Sequence, residues 1–295
     1  MTRAENNQTG QTLEQLLALG TRQLAEAGIE APRREARLLL TYALGLTPEQ
    51  MLSRSPRDLV PEQPFLAYLT RRAAREPMAF ITGSKGFWTL DLAVSPATLV
   101  PRGDSETLLS CLLDYCPDTQ SPKAMLDLGT GTGCLLLAAL AEYPHSWGIG
   151  VDINPDAAVL AQENARRCGL ADRALFMAGV WDNALHGQRF DVVLSNPPYI
   201  PTADLAELMP EVRLHEPLAA LDGGDDGMEA YRMLCARMPH LLASDGVAIF
   251  EIGIGQGDDL RAVAAVAGLE VLEIRSDFGD VPRAAVLRVC RETSA

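Results

Sequence analysis

From Lys123 to Val289 the chain alternates short apolar runs with stretches of helical spacing. Met125–Leu128, Trp147–Val151, Ala174–Ala178, Phe190–Leu194, Val247–Ile252, Leu269–Ile274 and Ala284–Val289 read as seven strands. Cys134–Glu142, Asp156–Cys168, Glu229–Leu242 and Asp258–Ala267 read as helices between them. Alternation sustained over about 170 residues predicts an α/β fold with a mostly parallel sheet and helices on both faces. Open sheets of this kind bind ligands beyond the carboxyl ends of their strands, where the strand order reverses. The residues at those ends therefore carry the functional reading.

Asp127-Leu128-Gly129-Thr130-Gly131-Thr132-Gly133 turns the first strand into a helix. Its glycines permit a tight turn and a ligand lying close to the backbone. Asp152 ends the second strand, 19 residues after Gly133 (152 − 133). A carboxylate there can accept hydrogen bonds from a ribose diol. Loop, strand-end acid and alternation together point to a nucleoside-containing cofactor. Cys134 stands where a dinucleotide site prefers Gly or Ala, and no Walker lysine follows the glycines. Nicotinamide dinucleotides and S-adenosylmethionine remain, and the glycine spacing leans to the second. Asp127 is either a structural acceptor or a group near the methionine end. Trp181, just after the third strand, either packs on an adenine or fills the core.

The fourth strand runs into Ser195-Asn196-Pro197-Pro198-Tyr199-Ile200. Neither proline can donate a ladder hydrogen bond, so the chain leaves the sheet there in a stiff, extended form. Asn196 is thereby held at a strand end, with one carbonyl acceptor and two N–H donors. Carbonyls beside the prolines add acceptors, and Tyr199 is expected to add an aromatic wall. Such a corner can grip a planar amide or amino group. Hydride transfer needs no such clamp, whereas methyl transfer to a planar nitrogen does, because a delocalised lone pair must be aimed. Asn196, Pro197 and Tyr199 are the catalytic candidates, and Asn196 to Tyr199 the substrate-binding ones. Positioning and electrostatics would do most of the catalytic work, without a covalent intermediate or a dedicated base.

Charge narrows the acceptor. With 25 Lys+Arg against 39 Asp+Glu, the net charge is −14, which disfavours a sequence-independent grip on nucleic-acid phosphates. No run approaches membrane-span length, and the polar start lacks the apolar region of a signal peptide, so a cytoplasmic protein is expected. The six cysteines and four scattered histidines lack zinc-site spacing, and no metal is expected. The cysteines read as reduced, buried small hydrophobes, Cys111 and Cys116 among them, and Asp225-Asp226 as solvated loop.

The first ten residues read as frayed. Thr12 to Gln15 forms a capping-box pattern, Gly28 stops that helix, and Pro32 opens a second that ends at Gly45. Thr47 to Gln50 caps a third helix, and Pro61 to Arg75 reads as a fourth, closed by Pro77. Residues 1–80 thus form a helical domain without strands, suited to partner recognition. Residues 81–100 read as a β-hairpin or linker, and 101–295 as the catalytic domain. Asp104 or Ser105 is expected to cap the helix beginning at Leu108. Residues 200–227 are irregular and acidic. They follow Asn196–Tyr199 directly and are expected to cover the site.

These residues carry a family likeness. Gly129–Gly133, Asp152 and Asn196–Tyr199 resemble class I S-adenosylmethionine-dependent methyltransferases acting on amide or exocyclic amino nitrogens. Phe87-Trp88, Val94 to Arg102, His215-Glu216-Pro217, Ala220 to Gly224, Asp226-Gly227, Glu251-Ile252-Gly253 and Gln256-Gly257 are similar to the peptide-chain-release-factor glutamine methyltransferases. Pro32-Arg33, Ala36 and Leu39-Leu40 are similar to the N-terminal domain of that family. The resemblance implies a Rossmann-like class I fold with a seven-stranded sheet. It implies N5-methylation of the glutamine in the Gly-Gly-Gln motif of class I peptide chain release factors. It further implies that Gly129, Thr130, Gly131, Thr132, Gly133, Asp152, Trp181 and Asn196 contact the cofactor, and that the helical domain helps dock the release factor. Gly103 stands where the family usually has proline, and Val180 where it usually has an acid. The first change should loosen a turn, and the second removes a polar contact near the adenine.

Three other readings compete. A ribosomal-protein glutamine methyltransferase is the nearest, disfavoured by the helical domain and by Arg102 to Glu106. A DNA adenine-N6 methyltransferase shares the Asn-Pro-Pro-Tyr clamp, but the acidic balance opposes it. A cofactor-binding protein that only docks on the translation machinery has no need of the Asn196 corner.

Overall fold

The computed structural model describes residues 10–185 and 187–290. The expectation of a frayed start falls outside the described residues, Gly10 excepted. The chain divides into two compact units, Met1–Thr82 with Pro210–His215, and Gly83–Met209 with Glu216–Ala295.

The first unit contains β1 (Gln11–Thr12), α1 (Leu13–Glu26), α2 (Pro32–Ala43), α3 (Pro48–Ser53), β2 (Leu59–Val60), α4 (Phe65–Ala73) and α5 (Met78–Thr82). Both expected capping boxes form, with Thr12 and Gln15 closing α1 and Thr47 and Gln50 closing α3. Gly28 and Gly45 follow the helix ends at φ +72° and +62°, the left-handed turn that a side chain resists. Leu16, Leu24, Leu39, Leu40, Phe65 and Leu69 are wholly buried on the facing helix stripes. Gly20 lets those helices close up, because a Cβ there would lie 2.8 Å from the Phe65 ring and 3.0 Å from Ala36.

Three expectations for this unit need correction. A two-residue ladder pairs β1 with β2, so the unit is not strand-free. The fourth helix starts at Phe65 rather than near Pro61, with Pro64 as its N-cap, and Met78–Thr82 adds a further turn. The stretch after Tyr199 is also more ordered than expected. Its Pro210–His215 helix belongs to this unit, where Glu211 pairs with Arg72 (3.0 Å) and Arg75 (2.7 Å), and Arg72 also pairs with Glu35 (2.5 Å).

The second unit opens with a hairpin, β3 (Ser84–Phe87) and β4 (Leu90–Ala93), and a 3₁₀ turn at Gly103–Ser105. Then come α6 (Glu106–Tyr115), β5 (Ala124–Leu128), α7 (Cys134–Glu142), β6 (Trp147–Asp152), α8 (Pro155–Arg167), β7 (Ala174–Ala178) and β8 (Phe190–Ser195). After α9, the Pro210–His215 helix already placed, come α10 (Glu229–Leu241), β9 (Leu242–Glu251), α11 (Gly257–Val266), β10 (Leu269–Ser276) and β11 (Pro282–Val289). Among the described residues, seven strands form one sheet in the order β10-β11-β9-β8-β5-β6-β7. Five of them run parallel, from β9 through β7, while β11 and β10 add antiparallel pairs.

Alternate side chains along each strand enter opposite cores. Met125, Val192, Leu194 and Ile249 join α6 and α7 on one face. Leu126, Leu128, Val193, Ala248 and Phe250 join α10 and α11 on the other. Sandwiched in this way, α7 is buried from Leu135 to Leu140, which accounts for its unbroken apolar sequence. The strand order reverses at β5, flanked by β6 and β8, and this puts the glycine loop and Asn196 at the switch point. Among the described residues no helix is long and apolar enough to cross a membrane. Cys111 and Cys235 are buried as expected, but Cys116, Cys134 and Cys168 are only partly buried and Cys290 is exposed, which corrects the uniform reading of the cysteines.

Candidate active site

A cavity of about 250 Å³ opens beyond β5 and β6. Gly129, Thr130, Gly131, Thr132, Asp152, Trp181, Asn196 and Pro198 line it. Gly129 and Gly131 adopt φ +75° and +54°, so the loop turns sharply enough for Gly129 N–H and Thr130 N–H both to reach the Val151 carbonyl (2.9 and 3.1 Å). Cβ atoms built on these two glycines meet nothing closer than 3.9 Å, leaving the backbone open to a ligand. Gly133 differs. At φ +81° it caps α7, and a Cβ there would press on Phe176 (3.0 Å) and Ala161 (3.2 Å). It packs the helix against its neighbours and does not line the cavity.

The Asp152 carboxylate clamps the loop, accepting from Gly131 N–H (2.8 Å) and Asn154 N–H (2.9 Å). Burial pushes its pKa up, while those two amides pull it down. Asp127 lies beneath the loop, accepts from Thr130 Oγ1 (2.6 Å), and keeps a buried Oδ1 without a partner. Burial raises its carboxyl to about 7. Open glycine backbone, a strand-end carboxylate and an unpartnered buried acceptor suit a cationic nucleoside cofactor such as S-adenosylmethionine. Trp181 lines the cavity and packs on the core behind it. Its φ of +49° is a conformation that non-glycine residues rarely adopt. Val180 beside it is 46% exposed, an apolar side chain on the cavity rim.

At the end of β8, Ser195 Oγ donates to the Leu128 carbonyl (2.6 Å), fixing the start of the corner. Asn196 Nδ2 donates to Ser105 Oγ at 3.3 Å. Ser105 Oγ in turn donates to Glu251 Oε2, and the Tyr199 hydroxyl donates to Glu251 Oε1 at 3.1 Å. Burial raises the Glu251 pKa, opposed by the Ser105 bond, the Arg283 charge and the Tyr199 bond. Gln256 Nε2 donates to the Tyr199 carbonyl (2.9 Å), while its Oε1 accepts from Gly253 N–H (2.9 Å). Gly223 and Gly227 let two further turns close on this strap, since Cβ atoms there would fall 2.8 Å from Tyr199 Cα and 2.4 Å from its carbonyl oxygen.

Two expectations change here. Tyr199 is not a cavity wall; its ring packs on the core and its hydroxyl faces Glu251. Ser105 occupies the cap position of α6 but makes no capping bond: its backbone is already helical, at φ −66° and ψ −16°, rather than in the extended form of a cap, and its hydroxyl is turned to Glu251. Pro197 is buried behind Asn196. Pro217, Ala219 and Ala220 line the cavity, so part of the stretch after Tyr199 does border the site. Ala97, Thr98, Leu99, Pro101, Arg102 and Ser105 form another wall, where Arg102 Nη2 is held by Glu216 Oε1 (2.5 Å). The turn at Gly103 closes without the family's proline. Residue-level reasoning gave Ser105 only a capping role and left Glu251 and Gln256 without roles. The available signal was an acid, Glu251, directly ending the apolar run Val247–Phe250.

Comparison with known proteins agrees with this architecture. Residues 15–83 match the family model of the PrmC N-terminal domain, and residues 103–212 that of the methyltransferase small domain. A methyltransferase from Pyrococcus furiosus is similar in structure at TM-score 0.50 and 18% identity, over 75% of this chain and 95% of that one. The hMettl16 catalytic domain is similar at TM-score 0.53 and 12% identity, over 81% of this chain and 86% of its own. At these identities the likeness shows the fold, which is that of class I methyltransferases. The release factor glutamine methyltransferase of Rhodospirillum rubrum is 45% identical over 290 residues, 97% of this chain and 87% of its own length. That of Caulobacter vibrioides is 42% identical over 247 residues, 83% of this chain and 85% of its own. Relatives this similar over most of both lengths place the chain in a family: it belongs to the release factor glutamine methyltransferases.

Proposed function

We propose that this chain methylates the side-chain amide nitrogen of the glutamine in the Gly-Gly-Gln motif of class I peptide chain release factors. The observation that carries this reading is Asn196, held at the rim of the cavity with its Nδ2 already engaged and its Oδ1 without a hydrogen-bond partner among the described residues. S-adenosylmethionine, when bound, supplies an activated methyl group. Gly129 to Thr132 would receive it along open backbone, Asp152 would accept its ribose hydroxyls, and Trp181 would flank its base.

The corner handles the acceptor. An amide nitrogen is a poor nucleophile because its lone pair is shared with the carbonyl. Asn196 Oδ1 and the Pro197 carbonyl would accept its two N–H bonds, fix its orientation, and favour the more pyramidal, more nucleophilic form. Preset acceptors of this kind need no rearrangement as the reaction proceeds. We assign residues 101–295 to catalysis, residues 81–100 to the linker, and the helical residues 1–80 to docking of the release factor. The acidic balance of the chain agrees with a protein substrate, and the reaction belongs in the cytoplasm with translation.

The test combines purified chain, methyl-labelled S-adenosylmethionine and a purified class I release factor. Label should enter the release factor, and Asn196→Ala should lower the rate on the order of 10²- to 10³-fold, as loss of a preset polar contact does. A release factor left unlabelled by the wild-type chain would refute the proposal.

A further inference from the structure

Ser105 and Glu251 stand behind the corner, each 2% exposed. An ionised carboxylate has no proton to give and can only accept. The two Glu251 oxygens are shared between Ser105 and Tyr199, so each of these hydroxyls points its single proton at Glu251. Ser105 then has only lone pairs left to offer. Asn196 meets them with Nδ2. The two ends of a carboxamide are nearly identical in shape, and hydrogen bonding alone decides which faces which way. Burial raises the Glu251 carboxyl, while the Ser105 bond, the charge of Arg283 (itself paired with Asp277 at 3.2 Å) and the Tyr199 bond oppose that rise and favour its ionised form.

We propose that Glu251, acting through Ser105, sets the polarity of Asn196, so that Oδ1 and not Nδ2 faces the substrate and the corner selects a donor amide over a carboxylate. Ser105 and Glu251 are positioning residues in this arrangement and touch no reacting atom. A glutamine side chain brings N–H groups to Asn196 Oδ1 and the Pro197 carbonyl. A glutamate of the same shape brings only acceptors and is turned away. Without the Ser105 oxygen, Asn196 can turn over and present Nδ2, which tolerates a carboxylate. The pairing spans 146 residues of sequence between Ser105 and Glu251, so it is a product of the sheet order and not of local structure.

The inference rests on the proposed release factor substrate, and the test separates the two. Calorimetry with S-adenosylhomocysteine present measures binding of a full-length class I release factor carrying either its native glutamine or glutamate at that position. The wild-type chain should prefer glutamine on the order of 10- to 100-fold, the cost of leaving buried polar groups facing like partners. Ser105→Ala should bring the two affinities within about threefold of each other at saturating S-adenosylhomocysteine, a loss of the unpaired-group penalty. Ser105→Thr, which restores the hydroxyl, should recover the preference. If Ser105→Ala fails to fold, Glu251→Gln serves instead, since its amide can donate to Ser105 and release the serine proton towards Asn196; the same collapse of preference is expected.

A wild-type chain that binds both forms equally overturns the inference. So does a Ser105→Ala or Glu251→Gln protein that keeps the preference, or a Ser105→Thr protein that loses it. A wild-type chain that neither binds nor methylates the release factor overturns the functional proposal, and this inference with it. Methylation by the wild type with an unchanged preference in the variants overturns the inference alone.

Discussion

Gly131→Ala and Gly169→Ala form a matched pair that separates backbone strain from loss of the cofactor cradle. Both glycines are left-handed, at φ +54° and +71°. An added Cβ at Gly169 meets nothing within 4 Å, and at Gly131 it meets only Thr98 Cβ, at 3.9 Å. Neither change therefore creates a clash within the protein, and each should cost roughly 1–2 kcal/mol of backbone strain. For a chain of this size that lowers Tm by roughly 2–8 °C in both variants. Cofactor binding should separate them, because Gly131 and Thr98 line the cavity and Gly169 does not. A methyl group standing in a close backbone contact costs roughly 1–3 kcal/mol, so Gly131→Ala should weaken S-adenosylhomocysteine binding about 10- to 100-fold. Gly169→Ala should bind as the wild type does. Calorimetry gives the affinities, and a thermal melt gives the strain. Equal affinities in the two variants would refute the placement of the cofactor along the Gly129–Gly133 backbone.

Three further outcomes follow from the electrostatics and packing. Asp152→Asn replaces an acceptor oxygen by a donor beside Gly131 N–H and Asn154 N–H, and should weaken cofactor binding on the order of tenfold or more in calorimetry. Asp127, raised to about 7, keeps its proton in the folded chain where the unfolded chain has lost it. The native state thus binds more protons, and stability on this group's account is fully present below its unfolded value of 3.8 and is lost as pH rises towards 7. Asp127→Asn should flatten that slope in urea unfolding measured from about pH 5 to pH 7. Glu211→Ala strips a partner from Arg72, whose side chain is only 7% exposed, and should destabilise the helical unit by about 2–3 kcal/mol, less than a full buried-pair loss because Glu35 remains.

Much of the fold was legible because its determinants are local. Proline without an N–H ends β8, glycines without Cβ atoms bend the loop after β5, and apolar alternation marks the sheet. Asp152, Asn196 and the glycine loop could be placed at strand ends before the strand order was known. Contacts that depend on that order were not legible. Ser105 resembles a helix cap by every neighbouring residue, and only the arrival of Glu251 at the end of β9 turns its hydroxyl away from the helix. Tyr199 follows two prolines and looked like a wall, yet the same glutamate draws it inward. Pro210–His215 spans six residues, too few to show helical periodicity, and its place in the helical unit depends on Arg72, 139 residues away. Buried ion pairs and hydroxyl polarity are tertiary facts, invisible to periodicity and capping rules.

The central claim is most directly tested by tandem mass spectrometry of a class I release factor incubated with the chain and S-adenosylmethionine. The expected result is one added methyl on the side-chain nitrogen of the Gly-Gly-Gln glutamine, absent when Asn196→Ala replaces the wild type. An unmodified glutamine, with methyl instead on a ribosomal protein or on DNA adenine, would contradict it.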